Sequence, residues 1–213
     1  MTRTTKLASQ IAALLSLFFA TQAALSNTFE AQLDASQVVS HATTTTGTGF
    51  ATFALSSDQS QLAYTLSLNG LNFEQTAANR TNASDVTAIH LHTGSAGATG
   101  FHTLNIFGNP SEDDADLVVD FANNTLSGIW DDGDAIDSST GMPFNQTAGG
   151  STKFLADFID ELENNDLYLA IHTFGEGGSV AIRGQVNSVP EPGSQAMFGA
   201  AAMLCLIGLR RKR

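Results

Sequence analysis

The sequence predicts an all-β domain, a Greek-key-like antiparallel sandwich or partly closed barrel with one short helix, set between an N-terminal signal helix and a C-terminal transmembrane helix. Three observations carry that expectation. Between residues 24 and 188, apolar residues recur at every second position in short runs separated by Gly-, Ser- and Asp-rich turns. One stretch, Thr152 to Glu163, switches to helical spacing. Each end of the chain carries a short run that is apolar on all sides.

The first 23 residues have the layout of a signal peptide. Arg3 and Lys6 precede an apolar run from Ile11 to Ala20 that only Ser16 interrupts. Thr21 and Ala23 are the small residues suited to cleavage after Ala23, with Ala24 and Ser26 as a second option. A buried amphipathic helix would have a polar face, and this run has none.

The strands follow in order. Phe29 to Leu33 alternates and reads as the first strand. Gly47 to Leu55 and Leu62 to Leu68 make a hairpin across the polar turn 56–60. Val86 to Thr93, Thr103 to Phe107, Leu117 to Phe121, Leu126 to Trp130, Leu167 to Thr173 and Val180 to Val186 complete the set. The helical stripe is Phe154, Leu155, Phe158, Ile159 and Leu162, capped by Ser151 or Thr152. The segments 71–85, 109–116 and 131–150 read as surface loops, and no internal repeat is present.

At the C-terminus, Val189-Pro190-Glu191-Pro192 leads into an apolar stretch, Ala196 to Leu209, and then Arg210-Arg211-Lys212-Arg213. The stretch is shorter than the roughly 20 residues of a full membrane span, and the basic end belongs on the cytoplasmic side. A Pro-Glu-Pro motif (Pro190, Glu191, Pro192), a short apolar helix and a basic end, in that order, resemble the PEP-CTERM sorting signal over residues 189–213. That resemblance implies export by a Gram-negative bacterium that secretes exopolysaccharide. It also implies an inner-membrane-anchored intermediate, cleavage near the motif by an exosortase-type protease, and a final place on the cell surface or outside. An ordinary tail anchor that stays in the membrane is the alternative.

Charge narrows the partners. The chain carries 9 basic and 21 acidic residues, a net of −12. Removing the ends takes away six basic residues and one acidic one, which leaves Arg80, Lys153 and Arg183 against 20 acids, a net of −17. Such a surface repels nucleic acid and anionic lipid and attracts cations. The sole cysteine, Cys205, lies in the tail, so the domain at 24–188 has to hold together by packing without a disulfide.

Candidate chemistry rests on three histidines. His90 and His92 lie in Ala-Ile-His-Leu-His-Thr-Gly, and His172 in Tyr-Leu-Ala-Ile-His-Thr. Strand side chains alternate faces. With Ile89, Leu91, Leu167, Leu169, Ile171, Val180 and Ile182 pointing to the core, His90, His92, Tyr168, Ala170, His172 and Arg183 fall on non-core positions. Three imidazoles from two strands form a plausible set for zinc or copper, with a fourth position left open for water. The competing reading makes them hydrogen-bonding sheet residues that order the turns after them. His41 and His102 read as isolated, and the acids at 113, 114 and 116 as solvated loop residues. Asp131, Asp132, Asp134 and Asp137 could gather calcium, although they do not fit the EF-hand spacing and read more simply as solvated acids.

Several segments together resemble a CHRD domain, the module named after chordin. They are Gly-Thr-Gly-Phe-Ala-Thr-Phe-Ala-Leu-Ser (47–56), Leu-Ala-Tyr-Thr-Leu-Ser-Leu-Asn-Gly-Leu (62–71), Val-Thr-Ala-Ile-His-Leu-His-Thr-Gly (86–94), Leu-Ser-Gly-Ile-Trp-Asp (126–131), Leu-Tyr-Leu-Ala-Ile-His-Thr (167–173) and Ile-Arg-Gly-Gln-Val (182–186). The resemblance runs from about Phe29 to Val186, with Tyr168, Thr173, Arg183 and Gly184 as signature positions. It implies an extracellular β-rich module with no established catalytic activity. The chain departs from the pattern at Gln37-Val38-Val39-Ser40, where relatives often carry an acidic residue and paired prolines.

Hydrolase, zinc-protease and nucleotide-binding motifs are absent from the sequence. The leading expectation is therefore an exported, non-enzymatic surface or matrix protein that binds a surface protein or exopolysaccharide and requires no cofactor. The second is an extracellular zinc or copper module using His90, His92 and His172. A superoxide-dismutase-like metalloenzyme is the third; it lacks a disulfide and enough histidines for two metals. During export, signal peptidase and the exosortase-type protease are the expected partners.

Overall fold

The computed structural model describes residues 27–108, 112–113, 115–137, 142–143 and 154–190. Ala23, Glu191 and Pro192, the helix caps Ser151 and Thr152, and both apolar end runs lie outside the described residues. Among the described residues no helix is long and apolar enough to cross a membrane.

The strands are β1 (Asn27–Asp34), β2 (Thr48–Leu55), β3 (Gln61–Asn69), β4 (Val86–Thr93), β5 (His102–Gly108), β6 (Val118–Asp120), β7 (Thr125–Asp131), β8 (Ile136–Asp137), β9 (Met142–Pro143), β10 (Leu167–Thr173), β11 (Val180–Gln185) and β12 (Asn187–Ser188). Among the described residues one antiparallel sheet runs β5-β4-β10-β11-β1-β2-β3-β7-β6 along a continuous hydrogen-bonded path. This meets the all-β antiparallel expectation as a sandwich-like half-barrel. The sheet curls as a half-barrel, so that its two wings close over one core instead of being cut into two sheets.

Alternation explains the curl. Phe29, Ala31 and Leu33 of β1, Ala51, Phe53 and Leu55 of β2, and Leu62, Tyr64, Leu66 and Leu68 of β3 all turn to the same side. Leu91 of β4, Trp130 of β7 and Leu167, Leu169 and Ile171 of β10 meet them from the other strands. A sheet that presents an apolar face along its whole width removes it from water by rolling around it.

The predicted helix is shorter than its sequence stripe. A 3-10 turn, Leu155–Phe158, leads into one short helix α1, Ile159–Glu163. Its entry is capped locally, the Phe154 amide donating to Asp157 Oδ2 at 2.9 Å. Leu155, Phe158, Ile159 and Leu162 are buried as the stripe requires, closing the core. The Leu117–Phe121 strand is real only over Val118–Asp120. As an outer strand it pairs on one side with β7, and its register carries little apolar constraint.

Gly184 is set by packing. A Cβ built there would lie 2.6 Å from the Gln32 carbonyl oxygen and 2.8 Å from Leu33 Cγ, because β1 passes directly against β11. The departure at Gln37 is accommodated at the same seam. Gln37 Nε2 donates to the Gln32 carbonyl at 2.7 Å, and its Oε1 accepts from the Gln185 amide at 3.3 Å.

Candidate metal centre

The register of β4 against β10 pairs His92 with Tyr168, His90 with Ala170 and Ala88 with His172. On the far side of β10, Tyr168 faces Gln185 and Ala170 faces Arg183. His90, His92, Tyr168, His172 and Arg183 therefore share the non-core face of three adjacent strands. Ala170, with only a methyl group, leaves room for the rings around it.

That face lies off the core, as expected, but it is not open to solvent. His90 is 7% exposed and Arg183 3% exposed. The loop 94–101 roofs them. Arg183 donates from Nη1 to the Ala98 carbonyl at 2.5 Å and from Nη2 to the Ser95 carbonyl at 3.0 Å. Gln185 Nε2 reaches the Gly94 carbonyl at 3.0 Å. The Arg183 guanidinium lies 3.6 Å from the Tyr168 ring centroid, and Tyr168 stacks on His92 at 4.9 Å with a 6° interplanar angle. The signature Tyr168 and Arg183 thus brace the ring of His92. Thr173, the remaining signature residue, is buried at the end of β10.

Ligand-capable atoms of His90, His92 and His172 lie within 4.8 Å of one another. Two rings are oriented from behind. His92 Nδ1 meets the Gly100 carbonyl at 3.2 Å, and His172 Nδ1 meets the Gly178 carbonyl at 2.8 Å. A carbonyl only accepts, so both Nδ1 atoms carry the proton and the Nε2 lone pairs are left bare. Those Nε2 atoms, together with His90 Nδ1, are buried and have no hydrogen-bond partner among the described residues. Buried orphan nitrogens on three rings clustered this closely are what a metal would satisfy. This weighs against the reading of His90, His92 and His172 as sheet residues engaged in hydrogen bonds alone.

Electrostatics keep the rings in the ligating form. Burial is the largest influence on each. It takes His90 down to about 2 and His92 to about 4, with neighbouring imidazoles adding to the effect. For His92 the Gly100 carbonyl opposes this, and Arg183 adds a small further lowering. His172 is lowered by burial against the pull of the Gly178 carbonyl. Neutral imidazole is the species that binds metal.

The structure also overturns expectations about three single residues, among them Asp134, which is buried instead of solvated. His102, read as isolated, joins the cluster, its ring centroid 3.9 Å from that of His90 and 5.7 Å from that of His92. Asp113, read as a solvated loop acid, is buried and accepts a hydrogen bond from the Tyr64 hydroxyl. Asp114 lies outside the described residues. Asp116 Oδ1 accepts from the Ile129 amide at 2.9 Å. In the 131–134 segment the acids serve the backbone, Asp134 Oδ2 accepting from the Asp131 amide and Asp131 Oδ1 from the Gly133 amide, each at 2.7 Å. His41 stays at the edge of the site, its Nδ1 2.9 Å from Ser40 Oγ and its Nε2 3.9 Å from Glu176.

Fold and site define a class: an all-β antiparallel half-barrel carrying a roofed imidazole cluster on its non-core face. Within that class the chain belongs to the CHRD domain family, whose profile matches residues 29–186. No curated protein and no solved structure matches the chain.

Proposed function

We propose that this chain is an exported, non-enzymatic CHRD module that holds a zinc or copper ion on His90, His92 and His172. The observation that carries this reading is the cluster of His90, His92 and His172, whose ligand-capable atoms lie within 4.8 Å of one another and each of which keeps a buried, unpartnered ring nitrogen. Metal–nitrogen bonds of 2.0–2.1 Å would bring tetrahedral ligand atoms to about 3.4 Å apart, so the rings need only small inward turns. A CHRD domain suits an extracellular β-domain, and the acidic surface favours cation capture. The test is elemental analysis of the protein purified from its native host, followed by chelation and reloading. Close to one zinc or copper per chain supports the reading. A metal-free protein that takes up neither ion on reloading defeats it.

Binding of a polymer or surface protein is a second reading, favoured by the outer face of β2 and β3. There Thr52 and Thr65 hydrogen-bond each other at 2.7 Å beside partly exposed Phe50. Retention of the wild-type protein, with loss of retention for Phe50→Ala, on exopolysaccharide from the host would support it. In either role the two ends serve export, through signal peptidase after Ala23 and an exosortase-type protease near Pro190. Mass spectrometry of the released protein should then find no peptide from Ala196 onward.

A further inference from the structure

We propose that His102 is a fourth ligand of this centre, so that the protein itself fills the coordination sphere and leaves no position for water or substrate. The inference rests on the metal reading of His90, His92 and His172 and changes what that centre can do.

The argument begins with register. By simple alternation His102 shares parity with Leu104 and Ile106, which are core residues. It would then point away from His90 and His92. The β4–β5 ladder does not run evenly, however. His90 pairs with Asn105 and His92 with His102, so two steps on β4 match three on β5. This bulge reverses the facing of β5 at its start and turns His102 onto the non-core face. Bulges commonly re-aim a side chain next to a functional site. A second irregularity falls at His172, where the β10 ladders shift against both β11 and β4. The β4–β5 ladder shifts once more between Ile89 and His90, so every break in the ladders of this wing lies beside a residue of the cluster.

Ring spacing sets His102 beside His90 and His92, next to the group of His90, His92 and His172 whose ligand atoms lie within 4.8 Å of one another. A metal 2.0–2.1 Å from a ring nitrogen lies about 3.2 Å from the ring centroid, which places the centroids of tetrahedral neighbours about 5 Å apart. His90 is 4.8 Å from His92, 3.9 Å from His102 and 4.5 Å from His172. His92 is 5.7 Å from His102 and 6.5 Å from His172. These separations straddle the tetrahedral value. His102 Nε2 is buried and has no hydrogen-bond partner among the described residues, while a side-chain hydrogen bond with Asn105 anchors the ring. Like His92 and His172, it is an anchored ring with one unpartnered nitrogen.

The consequence is a change of class. Three imidazoles and a water make a centre that can activate the water, whereas four protein ligands make a closed one. A closed centre in an exported module suits storage, sensing or stabilisation of the fold.

Cobalt(II) loaded in place of zinc, with azide as an exogenous ligand, tests this directly. The wild-type protein is expected to take one cobalt with a visible spectrum that azide does not change. X-ray absorption of the zinc form should count four nitrogen neighbours. His102→Ala should keep the cobalt but open a position, so that azide shifts its spectrum and affinity falls at least tenfold. His102→Gln serves if the alanine variant fails to fold, and the wild-type azide and absorption results decide alone if both fail. A wild-type spectrum that shifts with azide overturns the fourth ligand while leaving the three-histidine centre standing. Failure of the wild type to bind cobalt, zinc and copper alike overturns both.

Discussion

His172 and Gly178 are joined by a 2.8 Å hydrogen bond from ring Nδ1 to the carbonyl oxygen, which fixes the tautomer that leaves Nε2 free for a metal. The bond depends on the turn after β10, where Gly177 and Gly178 hold φ of 60° and 84°. A side chain at either position is strained, and alanine at 178 would displace the carbonyl. Gly178→Ala should therefore weaken zinc or copper binding about 10- to 100-fold, as loss of an outer-shell partner does. A chelator-competition titration that returns the wild-type affinity would show that the carbonyl does not orient the ring.

The metal-free protein should lose stability as pH falls from about 6.5, and the sign follows from the histidines. In the unfolded chain they titrate near their ordinary value of about 6.5. In the folded chain burial lowers His92 to about 4 and His90 to about 2. Below pH 6.5 the unfolded state therefore binds protons that the native state refuses, so the stability present above that pH drains away through the window 6.5 to 4 and beyond. Each fully shifted histidine contributes a slope of up to about 1.4 kcal/mol per pH unit. Urea melts of the chelated protein at half-unit intervals will show this decline. His92→Gln should flatten it between pH 6.5 and 4.5, above the range where the carboxylates titrate, and an unchanged slope would contradict the assignment.

Alternation made much of the fold legible. Phe29, Ala31 and Leu33, or Leu167, Leu169 and Ile171, announce both a strand and the face it buries, because a period of two has one solution once a core exists. The same rule placed His90, His92 and His172 together. It failed at His102 for a definite reason, since a bulge adds one residue and reverses parity, and no local residue pattern marks the bulge. Burial of the site was equally invisible. It comes from the loop 94–101 folding back onto Arg183, and that loop's path is set by bonds between residues 85 and 88 positions apart. Asp113 escaped notice likewise, because its buried partner Tyr64 is 49 positions away.

Gly184→Ala should destabilise the domain by about 1–3 kcal/mol. The Cβ would meet backbone, the Gln32 carbonyl at 2.6 Å, and neither β1 nor β11 can withdraw without disturbing the centre of the sheet. A glycine kept only for flexibility would tolerate alanine. Chemical denaturation with an unshifted midpoint would favour that simpler reading.

Arg183 should couple the roof of the site to its ligands. Its guanidinium is buried without a carboxylate among its hydrogen-bond partners; the donors go to the Ala98 and Ser95 carbonyls and to Gln185 Oε1 at 3.1 Å. Burial lowers its pKa, against which the nearby Tyr168 acts. Hydrogen bonds to a charged group contribute about 1.5–3 kcal/mol each, so Arg183→Met, which keeps much of the stem but no donor, should cost about 3 kcal/mol or more. Arg183→Lys should recover part of this, because an ammonium cannot fork to two carbonyls in one plane. The loss is expected to be local. Amide exchange should quicken through residues 95–100 while the β1–β2–β3 ladder stays protected. Since the Gly100 carbonyl that orients His92 belongs to the same loop, metal affinity should fall in step with the loss of protection. Loosening of the loop with wild-type affinity retained would separate the two and show that His92 holds its place without the roof.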